Sequence, residues 1–140
     1  MSPEDAELVE RTWKGILPIR DTFAELFYRK LFELDPGLRP LFKGDLKEQG
    51  RNLVAMMSIA VRHLRKPEAI ATALRELGRR HASYGVRDEH YELVRTALIL
   101  SLDLSLGEEF GPQARGAWEA AYDALSGAMR GVAAPAHAGA

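Results

Sequence analysis

Cysteine is absent from all 140 residues, which excludes disulfide bonds, thiolate metal sites and cysteine nucleophiles. The charges nearly cancel, with 19 basic against 20 acidic side chains, so no excess of one sign attracts nucleic acid or an anionic membrane. No uncharged apolar run approaches the roughly 20 residues that a membrane-spanning helix needs. The first residues also lack the basic and then apolar pattern of a signal peptide. We therefore expect a soluble protein of the cytoplasm.

The common catalytic signatures are also missing. The chain contains no glycine-rich phosphate loop, no His-Glu-x-x-His zinc motif, no Gly-x-Ser-x-Gly nucleophile elbow and no calcium-binding loop. The residues alone leave the question of catalysis open.

Helical periodicity dominates the chain, whose 46% apolar and 28% charged residues are typical of one globular domain. Six long stretches place apolar residues at every third or fourth position. They run from Pro3 to about Pro18, Ile19 to Leu34, Leu46 to Leu64, Pro67 to Gly85, Asp88 to Leu106 and Pro112 to Met129. Between the second and third stretches there is room only for short helical turns. No stretch predicts a strand, so we expect an all-α domain over residues 1–132 and a flexible tail over 133–140.

His81 is the histidine that periodicity places on an apolar face. That face also contains Ile70, Leu74, Leu77 and Tyr84. A buried imidazole must find a partner. Two interpretations stay open on this evidence: a core histidine bonded to a backbone carbonyl, or a ligand of a metal held in an apolar slot. The same periodicity predicts that His63 and His90 lie at the surface.

Gln49 and Leu53 lie one turn apart on the preceding helix and can oppose His81 across a slot, with Tyr28 and Phe42 beside them. If Tyr28 and Gln49 belonged to the core, each would need a buried hydrogen-bond partner. If they line a pocket, they can offer hydrogen bonds to a small polar ligand.

The order and spacing of these segments resemble the globin family, in particular the single-domain bacterial globins of the flavohaemoglobin class. The resemblance extends from about Leu8 to Met129. It is carried by Leu26 to Phe32, Pro40-Leu41-Phe42, Gln49 with Leu53, Arg80-His81-x-x-Tyr84-Gly85-Val86 followed by His90-Tyr91, and Ala117-Trp118-x-x-x-Tyr122. It implies the globin fold, with the six long helices called A, B, E, F, G and H.

The resemblance implies haem b, or iron protoporphyrin IX, with His81 as the proximal ligand of iron. It implies that Phe42 stacks on the porphyrin, that Leu53 crowds the distal side, and that Tyr28 and Gln49 donate hydrogen bonds there. Other matches to positions that line or support the family's pocket are Phe27, Arg80, Val86, Tyr91, Val94, Trp118 and Tyr122.

Three of these matches have a second interpretation. Trp118 and Tyr122 fit ordinary core packing equally well. Arg80 is placed either to meet a haem propionate or to remain solvated.

The resemblance further implies reversible binding of dioxygen, with NO and CO as other diatomic ligands. Donors from Tyr28 and Gln49 would stabilise the partial negative charge on bound dioxygen, so we expect high oxygen affinity. We also expect a monomer or weak homodimer that binds neither nucleic acid nor membrane.

Two alternatives to an oxygen-binding protein remain. One is a nitric oxide dioxygenase that depends on a separate reductase, because the flavin and nicotinamide domains of full flavohaemoglobins have no match here. The family's proximal Tyr–Glu pair is also incomplete: Tyr91 is present, but Ala120 matches the acid, and Glu119 is turned about 100° round the helix from it. The other alternative is a haem-free, globin-like interaction module.

Overall fold

The computed structural model describes residues 1–131, which form six α-helices and no strand. The helices are α1 (Pro3–Ile16), α2 (Arg20–Leu34), α3 (Leu46–Arg62), α4 (Ala71–Ser83), α5 (Asp88–Leu106) and α6 (Pro112–Met129). Short turns of 310 helix span Leu17–Ile19, Pro36–Leu41, Pro67–Ile70 and Gly107–Glu109. The predicted all-α fold with six long helices is confirmed. The predicted tail over 133–140 lies outside the described residues.

Local chemistry explains where the first helix begins. The Ser2 hydroxyl accepts a hydrogen bond from the backbone N–H of Asp5 at 3.1 Å, and the Asp5 carboxylate accepts one from the N–H of Ser2 at 3.3 Å. Pro3 occupies the first helical position, where its missing N–H costs nothing. None of the helices between residues 1 and 131 has both the length and the apolar character needed to cross a bilayer.

One helix start differs from the sequence prediction, since Pro67 opens a 310 turn and α4 itself begins at Ala71. The residue that caps α5 is Arg87, and the ring of His90 folds back so that its Nδ1 accepts the Arg87 N–H at 2.9 Å. The prediction that His90 lies at the surface is therefore wrong: it is 7% exposed, since its ring serves its own helix as a cap.

The core lies where α2 crosses α5 and where α1 packs against α6. Trp13 contacts Phe23 edge-on and Trp118 at a tilt, with ring centroids 5.8 and 5.9 Å apart. The indole N–H of Trp118 donates to the Thr12 hydroxyl at 2.8 Å, and that hydroxyl donates to the Leu8 carbonyl at 2.6 Å. The polar atoms of this cluster are thus satisfied inside the core.

Two glycines allow helices to approach closely. Helix α3 crosses α2 at Gly50, where an added Cβ would lie 3.0 Å from the Cβ of Ala24. Gly78 of α4 lies against the end of α6, where an added Cβ would overlap the Met129 carbonyl group. α3 therefore packs on α1 and α2, while α4 packs on α6, and within residues 1–131 α3 and α4 make little contact with each other.

We predict that Gly78→Ala destabilises the protein by about 3 kcal/mol, because the Met129 backbone cannot move aside without separating α4 from α6. Chemical denaturation measures this change. The control is Gly116→Ala on the exposed face of α6, where nothing lies within 4 Å of the new methyl group. That variant is expected to gain up to about 1 kcal/mol. Equal stability of the two variants would contradict the prediction.

Candidate functional site

His81 lies in the last turn of α4 with its side chain half-buried. Its Nδ1 is 2.8 Å from the carbonyl oxygen of Leu77, four residues earlier. Because a carbonyl only accepts, Nδ1 carries a proton, and the lone pair of the neutral form of the ring is then on Nε2. Within residues 1–131, no hydrogen bond is made to Nε2. The two interpretations of His81 are therefore compatible: one nitrogen satisfies a backbone carbonyl and the other remains available to a metal.

The prediction that Tyr84 belongs to the buried face of α4 is wrong, since its side chain is 68% exposed. α4 ends at Ser83, and Tyr84 has φ −91° and ψ 3°, so helical periodicity no longer decides where its ring points. Gly85 follows with a φ of +95°, which favours glycine. The chain then reverses so that the N–H of Val86 donates to the His81 carbonyl at 3.0 Å.

Tyr28 on α2 is 7% exposed. Its ring packs edge-on against Phe27 and Phe42, with centroids 5.2 and 5.4 Å away. Its hydroxyl makes no hydrogen bond within residues 1–131. Every fully buried polar side-chain atom in that range has a partner, so the hydroxyl reaches an accessible space and not the core. Burial raises the pKa of Tyr28 to about 12, which keeps the hydroxyl protonated and able to donate at neutral pH.

Phe42 follows the 310 turn Pro36–Leu41 and joins the aromatic cluster around Tyr28. Its ring also lies edge-on to Phe32, with centroids 5.4 Å apart. Arg39 links Phe42 to Phe32: its Nη1 donates to the Phe42 carbonyl at 3.0 Å, and its guanidinium lies 5.6 Å from the Phe32 ring centroid. Phe32 is a site neighbour that we did not predict. Its position four residues after Tyr28 on one helix was the available signal.

Gln49 lies in the first turn of α3 and is half-buried. Its side-chain amide donates to the backbone carbonyl of Lys43 in the preceding loop. The structure therefore does not pair Gln49 with Tyr28. The next residue, Gly50, does bring α3 to Tyr28, since an added Cβ would lie 3.9 Å from that ring.

Six large apolar side chains are only partly buried; they lie on α3, on α4, on α5 and on the connection between α4 and α5. We call these residues the apolar slot: Leu53, Met56, Met57, Leu77, Val86 and Val94. Leu77 and Val86 flank His81 along the chain, and Leu53 lies one turn after Gln49. Partly exposed apolar side chains in such numbers are typical of a site that an apolar ligand covers.

Tyr91 begins α5 beside this region and is 9% exposed. Its carbonyl accepts a hydrogen bond from the Tyr122 hydroxyl at 2.7 Å, and the guanidinium of Arg130 lies 5.1 Å from its ring centroid. Burial raises the pKa of both tyrosines, and the charge of Arg130 partly lowers that of Tyr91. Glu119 lies 3.7 Å from Arg95, and within residues 1–131 no carboxylate bonds to the Tyr91 hydroxyl.

Three of the predicted site residues belong to the core or to the solvent-exposed surface. Trp118 is buried between α1 and α6, so core packing is the interpretation that the structure favours for it. Phe27 is also a core residue, at 4% exposure, and touches the site through its contact with Tyr28. Arg80 is solvent-exposed.

The comparison with known families agrees with this arrangement. A family model described as Globin matches residues 25–129. The chain belongs to the globin family. The resemblance inferred from the sequence is thus confirmed.

Named relatives of this globin include plant and bacterial proteins. The chain is 29% identical to "Anaerobic nitrite reductase NSHB5" of Oryza sativa subsp. indica, over 92% of this chain and 93% of the relative. It is 28% identical to "Anaerobic nitrite reductase HBII" of Casuarina glauca, over 91% and 89%. A "Flavohemoprotein" of Chromobacterium violaceum is 33% identical over 76% of this chain, which spans only 27% of that longer protein.

Membership of this family implies haem binding, and globins bind diatomic gas ligands. The side chains present fit haem, which requires an imidazole nitrogen to hold iron and apolar walls to exclude water. His81 offers an Nε2 to which no described residue bonds, and the partly exposed side chains of the apolar slot are of the apolar kind that such walls need. The protonated hydroxyl of Tyr28 adds a donor that faces accessible space.

We predict that Tyr28 makes the folded apoprotein less stable at alkaline pH. An unfolded tyrosine loses its proton near pH 10, whereas folded Tyr28 keeps it until about pH 12. Stability from this group is therefore complete below pH 10 and is lost as the pH rises through 12. Tyr28→Phe should lose less unfolding free energy over this interval, as measured by urea denaturation. Tyr84→Phe, which removes an exposed hydroxyl, is the control, and a Tyr28→Phe profile identical to wild type would contradict the assignment.

Proposed function

We propose that this globin binds haem b through His81 and uses it to bind dioxygen reversibly, with high affinity. The observation that carries the proposal is the state of the imidazole. Its Nδ1 is committed to the Leu77 carbonyl, so the free lone pair is on Nε2. When bound, haem supplies an iron atom with one open position for a diatomic ligand.

The residues of this chain would control that position in three ways. The apolar slot keeps water away, which slows oxidation of ferrous iron. Phe42 is held by its edge-on contacts with Tyr28 and Phe32, as a side chain that stacks on a porphyrin must be. Tyr28 presents a protonated hydroxyl to the accessible space.

Tyr28 and Gln49 differ in how readily each can donate a hydrogen bond to a ligand. The Tyr28 hydroxyl has no competing acceptor within residues 1–131, so it is ready to donate to a ligand that carries partial negative charge. The Gln49 amide must first leave the Lys43 carbonyl or use its second N–H. We therefore assign the main stabilisation of a polar ligand to Tyr28 and a smaller one to Gln49.

Anaerobic nitrite reduction is a second candidate. The plant relatives that carry that name match this globin over about nine-tenths of both chains, whereas the flavohemoprotein relatives are much longer. The reaction would be detected as nitric oxide released when the ferrous protein meets nitrite without oxygen. Nitric oxide dioxygenation is less well supported, because Glu119 lies against Arg95 and not against Tyr91.

We predict that His81→Ala abolishes stoichiometric haem binding, as measured by the absorption spectrum of the purified protein after addition of haem. His63→Ala is a matched control, because His63 is also half-buried, directly after the end of α3, and its Nδ1 lies 2.8 Å from the carbonyl oxygen of Ile59. That variant should bind haem like the wild type. A His81→Ala protein with the wild-type spectrum would refute the proposal, and a wild-type protein that takes up no haem would favour the interaction module.

We predict that Tyr28→Phe speeds oxygen dissociation by about ten- to a hundredfold, since a charge-assisted hydrogen bond contributes roughly 1.5–3 kcal/mol. Gln49→Leu should have a smaller effect, because the Gln49 amide already bonds to Lys43. Stopped-flow displacement of oxygen by carbon monoxide measures both rates. An unchanged rate in Tyr28→Phe would remove Tyr28 from the role of principal donor.

A further inference from the structure

The end of α6 contacts both α4, which carries His81, and α5, which follows it in the chain. The backbone carbonyl group of Met129 lies against the Cα of Gly78 on α4, three residues before His81. The next residue, Arg130, reaches across to Tyr91 at the start of α5. The end of α6 is therefore the point where α4 and α5 are held together.

Arg130 makes two contacts with α5. Its guanidinium lies 5.1 Å from the centroid of the Tyr91 ring, and its Nε is 3.4 Å from the Asp88 carboxylate. The Asp88 side chain is 82% exposed, so solvent weakens its ion pair with Arg130. Tyr91 is largely buried, so its cation–π contact with Arg130 is the stronger of the two interactions. The side chain of Arg130 is only 28% exposed.

The position of α4 depends on this end of α6. Among the helices, only α6 packs extensively against α4 within residues 1–131. Gly78 has no side chain with which to adjust that contact, so any displacement of the Met129 backbone is passed directly to α4. The imidazole of His81 is bonded to the backbone of the same helix through Leu77 and moves with it.

We propose that Arg130 is a positioning residue for His81. It holds the end of α6 on α5, and the end of α6 in turn holds α4. The inference deepens the proposed haem site but concerns the protein's own packing, so it can be tested with and without haem.

The test compares Arg130→Met with Arg95→Met by hydrogen exchange of the full-length apoprotein. Arg95 is a matched control, because it also joins α5 to α6, through Asp123 at 2.8 Å and Glu119 at 3.7 Å, and its side chain is likewise 28% exposed. Arg130→Met should raise exchange in α4 by roughly fivefold or more while leaving α1 and α2 unchanged. Arg130→Lys, which keeps the charge, should restore part of the protection.

A second readout uses the haem-loaded protein. Transfer of haem to an excess of apomyoglobin should be several-fold faster in Arg130→Met than in Arg95→Met. Exchange that rises equally in all helices, or equally in the two variants, would overturn the proposal, because Arg130 would then contribute only general stability. Failure of the wild type to bind haem would instead reject the proposed function, and the exchange experiment would still decide the role of Arg130.

Discussion

The hydrogen bond from His81 Nδ1 to the Leu77 carbonyl determines what the site can do chemically. It assigns the proton to one nitrogen and leaves the lone pair on the other. It also limits rotation of the ring, because donor and acceptor belong to the same helical turn. The direction of the free lone pair is therefore set by the placement of α4, and α4 takes its place from α6 through the contact between Gly78 and Met129.

The opposite side of the site is built on different neighbours. Tyr28 is held within a cluster of aromatic rings on α2 and the turn after it, and α3 approaches that cluster through Gly50. The histidine side and the tyrosine side thus depend on separate packing contacts, with little direct contact between α3 and α4. A ligand bound between them would add the contacts that link the two sides, so binding should stabilise the native state by mass action.

Helical periodicity in the sequence was sufficient to predict six helices, with most ends within a few residues of those observed. They failed where a helix ends and the side chain leaves the regular face, as at Tyr84, or where a ring folds back on its own helix, as at His90. Contacts between distant segments carry no local signal. The bond of Gln49 to Lys43 and the stack of Arg130 on Tyr91 could not be predicted for that reason. Periodicity did predict that His81 lies on an inward face of α4, where its ring is half-buried, while the roles of His81 and Tyr28 toward a ligand stay predictions.

Gly50 sets how closely α3 approaches the Ala24 side chain of α2, and Gly78 sets how closely α4 approaches the Met129 backbone of α6. The placement of α3 and α4 therefore depends on these two positions more than on the partly buried side chains near them. Redesign of ligand preference in this globin should begin with side chains such as Leu53 and Gln49, which are only partly buried. The glycines are the positions at which the spacing of the whole site would change.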